Sequence, residues 1–486
     1  MAPEAQFLFA TIDLTDQAVI DAWNWMYNVA QAEGKRLVIS MSWGVYMLDN
    51  MDGTGPLADE VKRLTDLGVV FVTSAGNNGD VNFHLKYDFT QHSGDTMRTQ
   101  FTFPYTSATL WGSSITMVNS ANSPFAFSMN VLDNACNIIA STPFVPTAGN
   151  DGSVDTFLIV NGDTIVYDYE IHSTNEYNHA PGVRLRVKYD TRYKFGLAVT
   201  AAQGVFHAWN VAEITKAWGN WGAAFQKPAS HPDWIAGDIE YGISTPANID
   251  EIITVAAHQA TFKNPAGATV GGDIADFSSS GPGFHNVRKP EISAPGKGVI
   301  SAISSYTNSY TGNYNASVDF NGRTYRFASL SGTSMSSPFV AGVVALMLQA
   351  NPYLTVDQVR NIITETARND AQTAAAGVNR FGYGKINAYQ AVLKALVTVG
   401  MEEHLEVDAT RYSVFPNPSN GQFYVSVATE SQRVQGALYD IAGRMVYSTV
   451  LQPGVNTLDI QNLPSGYYIL RLNDGMEFVT KKIVKK

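Results

Sequence analysis

The chain has 486 residues, 45% of them hydrophobic and 15% charged, a composition typical of a folded protein of about two to four domains. A net charge of −11, with no basic stripe except the terminal "KKIVKK", argues against a nucleic-acid partner. The single cysteine, Cys136, excludes an internal disulfide, and no cysteine–histidine spacing indicates zinc. No stretch reaches the roughly 18 apolar residues of a membrane helix, so no membrane-spanning segment is predicted.

Residues 6–79 alternate between strand and helix patterns, and residues 1–79 are predicted to be the first part of one domain. The apolar runs "QFLFATI", "RLVISMS" and "VVFVTSAGNNG" are typical of buried strands. Between them lie two predicted helices, one capped by Thr15 and one, "PLADEVKRLTDLG", that ends at Gly68. Alternating helices and continuously apolar strands predict an α/β domain whose parallel sheet is covered by helices on both faces.

Residues 80–240 have a different texture. Short alternating segments such as "TQFTFPY", "GVRLRVKYD" and "KFGLAVTAA" are separated by Gly, Pro, Asn and Asp, which predicts an inserted all-β sandwich. Four of its tryptophans are predicted to be core residues rather than a ligand platform: Trp209, Trp218, Trp221 and Trp234. The insert contains no catalytic motif, and a modulating role toward large substrates is a hypothesis.

The α/β pattern returns in residues 241–397. "DEIITVAAH" is typical of a buried strand, and helices are predicted at 334–350 and 355–368. Thr355 and Gln358 form a capping-box pattern at the start of the second helix.

Two further segments complete the predicted domain organisation. The acidic stretch at 398–411 is predicted to be a linker. Residues 412–486 contain short strand patterns between Gly- and Pro-containing turns, which predicts a small β-sandwich of about seven strands.

Ser334 lies where polar residues meet an apolar helix, in "SGTSMSSPFVAGVVALM". The segment after Pro338 is apolar on every side, which predicts a buried, central helix. A proline is tolerated in a first turn, so the helix is predicted to start near Ser334, where free backbone amides favour a negative charge. A serine in this place can be a nucleophile or simply a helix cap.

Several stretches together resemble the subtilisin-like serine peptidases (subtilases). "GTSMSSP" resembles the family's nucleophile motif, G-T-S-M-[AS]-[ST]-P, which implies that Ser334 is the nucleophile. "SAGNNG" resembles A-A-G-N-x-G, which implies that Asn77 is the side-chain donor of the oxyanion hole. "VISMSWG" resembles V-I-N-M-S-L-G, which implies that Ser42, Trp43 and Gly44 form one wall of the substrate cleft. The stretches "ADFSSSGPG", "KPEISAPG" and "GYGKINAYQAV" match further family motifs in the same order.

The resemblance implies endopeptidase chemistry through an acyl-enzyme, on protein or peptide substrates. The cleft-lining residues Ser74, Ala75 and Gly76 are small and neutral, which predicts a roomy pocket for apolar or uncharged side chains. Structural calcium is common in the family, but no acidic loop here supports a site. We therefore expect no metal and no cofactor.

The catalytic Asp and His motifs of the family, D-[ST]-G and H-G-T-H-V-A-G, are not found in this chain. None of the histidines precedes a Gly-Thr pair, and core or surface roles are expected for all of them: His84, His92, His172, His179, His207, His231, His258, His285 and His404. The opening "MAPEAQFLF" resembles a subtilase segment, G-[VM]-A-P-x-A, that follows the histidine helix. We therefore expect an N-terminally truncated subtilase domain whose missing motifs lie upstream of Met1. An upstream reading frame without them would contradict this. The alternative is a catalytically inactive subtilase-fold surface protein that binds peptides or acts as an adhesin.

The C-terminal residues resemble the type IX secretion (Por) sorting domain of Bacteroidota. The matching features are "FPNPSNG", "DIAGRMV", "LPSGYYI" and the basic end. The resemblance implies the type IX secretion machinery as a partner, a secreted or cell-surface location, and a Sec signal upstream. A generic carbohydrate-binding or adhesion sandwich is the alternative. The position of the insert, between the asparagine and serine motifs, is similar to that of jelly-roll insertions in some subtilases.

Overall fold

The computed structural model describes residues 2–13, 15–46, 51–104, 109–215, 218–306, 310–398, 412–427, 434–440, 443–473 and 478–486. The predicted linker lies outside the described residues except for Thr398, and Met1 and His404 lie outside them as well. The predicted domain boundaries stay predictions.

The chain forms two compact units. The larger consists of Gln6–Ala341 and Ala367–Ile386, and the smaller of Met1–Ala5, Gly342–Thr366 and Asn387–Lys486.

The larger unit begins with alternating helices and strands, which are α1 (Asp16–Ala32), β1 (Val38–Met41), α2 (Pro56–Asp66) and β2 (Val70–Ser74). Helix α1 starts where predicted, because the Thr15 hydroxyl accepts the Ala18 N–H at 3.3 Å and pairs one of the donors left open at a helix start. On its buried face, Trp23 meets Phe71 of β2 edge-on at 5.2 Å between ring centroids. The apolar spacing of α1 therefore serves to cover the sheet.

The predicted first strand, "QFLFATI", does not form. Residues 5–13 contain no strand, and Phe7 and Phe9 are 73% and 83% exposed. Among the described strands, β1 ends its sheet and pairs with β2 alone. The segment has no neighbouring strand to pair its N–H and C=O groups, and an apolar pattern alone does not hold a chain extended.

The insert is all β, as predicted. Its strands are β3 (His84–Asp88), β4 (Thr96–Phe101), β5 (Leu110–Val118), β6 (Phe125–Leu132), β7 (Ile138–Ser141), β8 (Val145–Pro146), β9 (Gly152–Val160), β10 (Asp163–His172), β11 (Gly182–Lys188), β12 (Lys194–Ala201), β13 (Val205–Ile214), β14 (Trp218–Gly222) and β15 (Phe225–Gln226). One sheet runs β14-β13-β5-β11-β10-β9 with β3 also on β13, and the other runs β15-β4-β12-β6-β7 with β8 on β6. Residues of both sheets, among them Phe101, Met117, Leu197 and Phe206, share one buried core.

Of the four tryptophans predicted to be core residues, two are in the core and Trp221 is not. Trp209 and Trp234 are 1% and 2% exposed, but Trp221 is 50% exposed. Trp221 lies on β14, the last strand of its sheet in the described chain, and so has a neighbouring strand on one side only. The side chain of Trp218 lies outside the described residues.

The parallel sheet continues after the insert. The strands that follow are β16 (Ile253–Gln259), β17 (Phe262–Lys263), β18 (Thr269–Val270), β19 (Ile292–Lys297), β20 (Val299–Ile303), β21 (Ala316–Phe320) and β22 (Arg323–Leu330). Strands β1, β2, β16 and β19 pair in that order, all parallel, and every residue of β2 is buried. Strands β17 and β18 pair with each other, and β20, β22 and β21 form an antiparallel sheet. The predicted α/β architecture is confirmed.

The remaining helices are α3 (Thr333–Ala350), α4 (Val356–Glu365), α5 (Ala371–Ala376), α6 (Val378–Phe381) and α7 (Ala388–Val397). The predicted capping box is present at α4, where Thr355 and Gln358 each accept the other's backbone N–H. Helix α4 ends at Glu365 rather than at 368, because Thr366 already leaves the regular helix. By length and composition alone, α3 could cross a membrane, yet half of it is buried. A core helix meets the same criteria, and the absence of a membrane span stays a prediction.

The C-terminal part of the smaller unit has seven described strands, β23 (Tyr412–Phe415), β24 (Gln422–Val427), β25 (Val434–Asp440), β26 (Met445–Leu451), β27 (Gly454–Asp459), β28 (Gly466–Asn473) and β29 (Phe478–Lys485). They form one sheet in the order β23-β24-β27 and another in the order β26-β25-β28-β29. Phe423, Leu438, Leu470 and Ile483 come from both sheets and are fully buried in one core. The predicted small sandwich is confirmed.

Candidate functional site

Ser334 is the second residue of α3. Its hydroxyl donates to the backbone carbonyl of Ser42 at 3.0 Å, and the Ser42 hydroxyl donates to the backbone carbonyl of Ser334 at 3.0 Å. Pro338 lies inside the helix rather than in its first turn. Because proline has no N–H, the Ser334 carbonyl lacks its normal helical partner, and Ser42 supplies a replacement.

Asn77 is held beside Ser334 by the preceding residue, Thr333. The Asn77 amide oxygen accepts the Thr333 N–H at 2.9 Å and lies 3.0 Å from the Thr333 hydroxyl. These contacts fix the amide orientation and leave Nδ2 as the donor end of the side chain. The turn before Asn77 needs glycine, because Gly76 has φ +114° and a Cβ there would lie 2.6 Å from the Tyr46 hydroxyl.

A small, open pocket joins these residues. It is lined by Ser42, Trp43, Gly44, Tyr46, Ser74, Gly76, Asn77, Asn220, Ser244, Thr333 and Ser334. Of the residues that the sequence nominated, only Ala75 is not in the lining. Its side chain is fully buried and packs against Ile243 and Ala247.

Four lining residues were missed by the sequence analysis: Tyr46, Asn220, Ser244 and Thr333. Thr333 could have been noticed, because it stands inside the G-T-S-M motif. Ser244 is close enough to Gly44 that a Cβ on the glycine would lie 2.1 Å from its hydroxyl oxygen. Asn220 comes from the insert, and no local pattern marks it.

The pocket is electrically neutral across its described lining, which contains no carboxylate, histidine, lysine or arginine. Burial raises the pKa of Tyr46 to about 12, so its hydroxyl stays protonated and donates to the Gly242 carbonyl at 2.9 Å. The Ser334 hydroxyl donates its proton to the backbone carbonyl of Ser42, and a carbonyl is too weak a base to remove that proton.

Comparison with known proteins identifies the architecture that holds this pocket. The sequence profile of the subtilase family matches residues 1–192 and 216–384, more than half of the chain. The chain belongs to the subtilase family. Subtilases are serine peptidases, and the resemblance stated for the sequence motifs is confirmed.

Curated relatives of this subtilase include two proteins of Bacillus subtilis. Bacillopeptidase F is 34% identical over 179 residues, which are 35% of this chain and 10% of that protein. Serine protease AprX is 33% identical over 153 residues, which are 31% of this chain and 31% of that protein. The chain thus spans between a tenth and a third of the length of these relatives. The solved CspB protease of Clostridium perfringens has a TM-score of 0.55 at 16% identity, covering 79% of this chain and 72% of that one, which shows a shared fold.

The C-terminal sandwich is a sorting domain. The profile of the secretion-system C-terminal sorting domain matches residues 413–486. This domain sends the subtilase to the cell surface or the extracellular space by type IX secretion, as the sequence predicted.

Two buried histidines of the subtilase form a hydrogen-bonded chain with Asp238, whose side chain is partly exposed. His84 Nδ1 lies 2.8 Å from the Asp238 carboxylate, and His84 Nε2 lies 2.9 Å from His207 Nδ1. The carboxylate requires a proton on His84 Nδ1, so Nε2 accepts the proton carried by His207 Nδ1. Burial lowers the pKa of both histidines, that of His207 well below its usual value, and Lys86 acts in the same direction.

His258 is also a core residue. Its Nδ1 lies 3.1 Å from the Ser293 hydroxyl oxygen, which itself donates to the Gly384 carbonyl at 3.0 Å. Burial, reinforced by the charge of Lys385, lowers the pKa of His258 to about 3. These three histidines have structural partners, as expected from the sequence.

No group of three or more His, Cys, Asp or Glu side chains is arranged to hold a metal ion in the described parts of the chain.

Proposed function

We propose that the protein is a secreted serine endopeptidase that cleaves peptide bonds through an acyl-enzyme on Ser334. The observation that carries the proposal is the bond from the Thr333 N–H to the Asn77 amide oxygen. It ties the asparagine to the residue next to the serine and leaves the Nδ2 donor outside this bond. In this proposal, Asn77 Nδ2 and the Ser334 N–H stabilise the oxyanion that forms when the serine oxygen attacks a carbonyl.

The serine proton must leave during that attack. No described residue of the pocket can accept it, so efficient turnover requires a general base in addition to the lining groups. We therefore expect the 486-residue chain by itself to react slowly at Ser334.

Substrate binding follows from the wall formed by Ser42, Trp43 and Gly44. This segment extends β1 beyond the sheet, and an extended peptide can pair with its backbone groups. With Ser74 and Gly76 as small, neutral neighbours, the site suits apolar or uncharged side chains. The same proposal includes protein and peptide substrates and contacts with the type IX secretion machinery. It also includes the division of the chain into residues 1–79, 80–240, 241–397, 398–411 and 412–486.

A second candidate is a subtilase-fold surface protein that binds peptides, or acts as an adhesin, without cleaving them. The hydrogen bond from the Ser334 hydroxyl to the Ser42 carbonyl favours it, because this hydroxyl has no described base beside it.

Fluorophosphonate labelling of the full chain separates the two candidates. We expect slow labelling that increases with added imidazole, which supplies a base, and that disappears in Ser334→Ala. Ser329→Ala changes an exposed serine a few residues away and should label as the unmodified chain does. Labelling that stays absent at high imidazole would overturn the peptidase proposal in favour of the binding protein.

A further inference from the structure

The insert reaches the pocket through one side chain, Asn220 on β14. Its Nδ2 donates to the backbone carbonyl of Gly44 at 3.1 Å. Asn220 also lines the pocket that contains Ser334. An insert residue thus touches the wall that the sequence assigned to the substrate.

Asn78 holds β14 in this place. Its Nδ2 donates to the Asn220 carbonyl at 2.8 Å, and its Oδ1 accepts the Gly222 N–H at 2.8 Å. The Asn78 side chain is 2% exposed, so both bonds are shielded from water. Asn78 follows Asn77 directly, so the residue that anchors β14 of the insert is next to the proposed oxyanion donor.

The carbonyls of Ser42 and Gly44 both accept hydrogen bonds from residues that line the pocket. The first accepts the Ser334 hydroxyl and the second accepts Asn220. Residues two apart on an extended chain present their carbonyls to the same side, where an added peptide strand would bond both. Asn220 therefore occupies a position that the backbone N–H of a longer peptide needs.

We propose that Asn220 is a specificity-determining residue that limits how many peptide residues the Ser334 site engages. The inference rests on the proposed peptide-binding function. A short peptide pairs beside Ser42 without meeting Asn220. A peptide two residues longer reaches Gly44 and must displace the asparagine, so the additional residues add no affinity.

The test is the length dependence of binding to the full chain, measured by calorimetry with acetylated alanine peptide aldehydes of two to five residues. The hydroxyl of Ser334 adds across the aldehyde carbonyl, with its proton passing to the carbonyl oxygen, which fixes the register of each peptide. For the unmodified chain we expect the affinity to stop rising once the peptide extends past Ser42. For Asn220→Ala we expect a further rise of about three- to tenfold for the longer peptides, because a peptide N–H gains the Gly44 carbonyl.

Asn134→Ala is the matched control, since Asn134 is an exposed asparagine elsewhere in the insert and should leave the length dependence unchanged. Asn220→Ser keeps a polar group too short to reach Gly44 and should behave as Asn220→Ala does. Asn220→Ala and Asn220→Ser both retain the bonds to Asn78, because those bonds use the backbone of β14. The same length dependence in all chains overturns the role of Asn220 alone. Aldehydes that bind none of the chains overturn the peptide-binding function itself.

Discussion

Ser42 and Ser334 are joined by two reciprocal hydrogen bonds of 3.0 Å, each hydroxyl donating to the other residue's backbone carbonyl. The pair fastens the end of β1 to the start of α3. One of the two bonds depends on Pro338, which has no N–H and leaves the Ser334 carbonyl open to the Ser42 hydroxyl. The proline thus has a consequence for the site that lies one helical turn away from it.

Substitutions of Asn77 should separate its two roles, which are to accept the Thr333 N–H and, in the proposal, to donate to the oxyanion. Asn77→Asp keeps an oxygen acceptor for Thr333 but removes the Nδ2 donor, so the free energy of unfolding should change little. Imidazole-dependent labelling of Ser334 should then fall by about 10²–10³-fold, the loss known for such a donor in subtilisin, a member of this family.

Asn77→Ala should lose labelling to a similar extent and also lower the free energy of unfolding by about 1–3 kcal/mol, because the buried N–H of Thr333 loses its acceptor. Urea unfolding followed by tryptophan fluorescence measures the difference. Equal stability of the two variants would argue against the Thr333 contact.

Gly44→Ala should disrupt the wall of the pocket. The new methyl group would lie 2.1 Å from the hydroxyl oxygen and 2.7 Å from the Cβ of Ser244, a contact that forces the two segments apart. We expect a loss of about 1–3 kcal/mol in unfolding free energy. Ser244→Gly, combined with it, removes both clashing atoms and should recover most of that loss. A double variant no more stable than Gly44→Ala would contradict the clash.

Lys289 is a buried cation whose replacement should be costly. Its ammonium group donates to the carbonyls of Ile249 and Ile252 at 2.9 and 2.7 Å and pairs with Glu291 at 2.7 Å. Lys289→Met leaves the buried carboxylate without its partner and should lower the unfolding free energy by about 3–5 kcal/mol.

Lys297→Met is the comparison for Lys289→Met, because Lys297 pairs with Asp276 at the exposed surface, at 3.5 Å. Its loss should cost less than about 1 kcal/mol. Similar losses in the two variants, measured by urea unfolding, would rule out the stabilising role of the buried pair.

The buried histidines predict loss of stability in mild acid. The pKa values of His84, His207 and His258 are lowered in the folded chain, so the unfolded chain binds protons first, near pH 6.5. The contribution of the neutral histidines to the free energy of unfolding is complete above that pH. It declines as the pH falls toward the pKa of each histidine in the folded chain, which is about 3 for His258. In that range each histidine should lower the free energy of unfolding by up to about 1.4 kcal/mol per pH unit.

Urea unfolding between pH 7.5 and about 4.5 measures this slope. His258→Asn retains a donor for Ser293 and should reduce the slope by one histidine's share. A stability that is flat between pH 7 and 5 would contradict the neutral, buried state of these residues.

The sequence predicted those features that depend on local pattern. The Thr15 cap, the Thr355–Gln358 box and the buried strand β2 are encoded in a few consecutive residues, and all three are confirmed. Motif resemblance found most of the pocket lining for the same reason.

The features that the sequence did not predict depend on distant residues. Asn220 and Gly44 are 176 positions apart, and neither belongs to a pattern that names the other. "QFLFATI" has a strand pattern, but a strand also requires a neighbour, and neighbours are set by the whole fold. Ala75 is small and neutral, as a cleft residue would be, yet its side chain lies in the core.

The Asn78 bonds to β14 make the insert difficult to treat as a removable module. A deletion of residues 80–240 would remove Asn220 and leave the carboxamide of Asn78, one residue from Asn77, without its partners. For the proposed peptide site, such a deletion should change which peptides bind. Substitutions on β14 offer a route to new peptide preferences that leaves Ser334 and Asn77 unchanged.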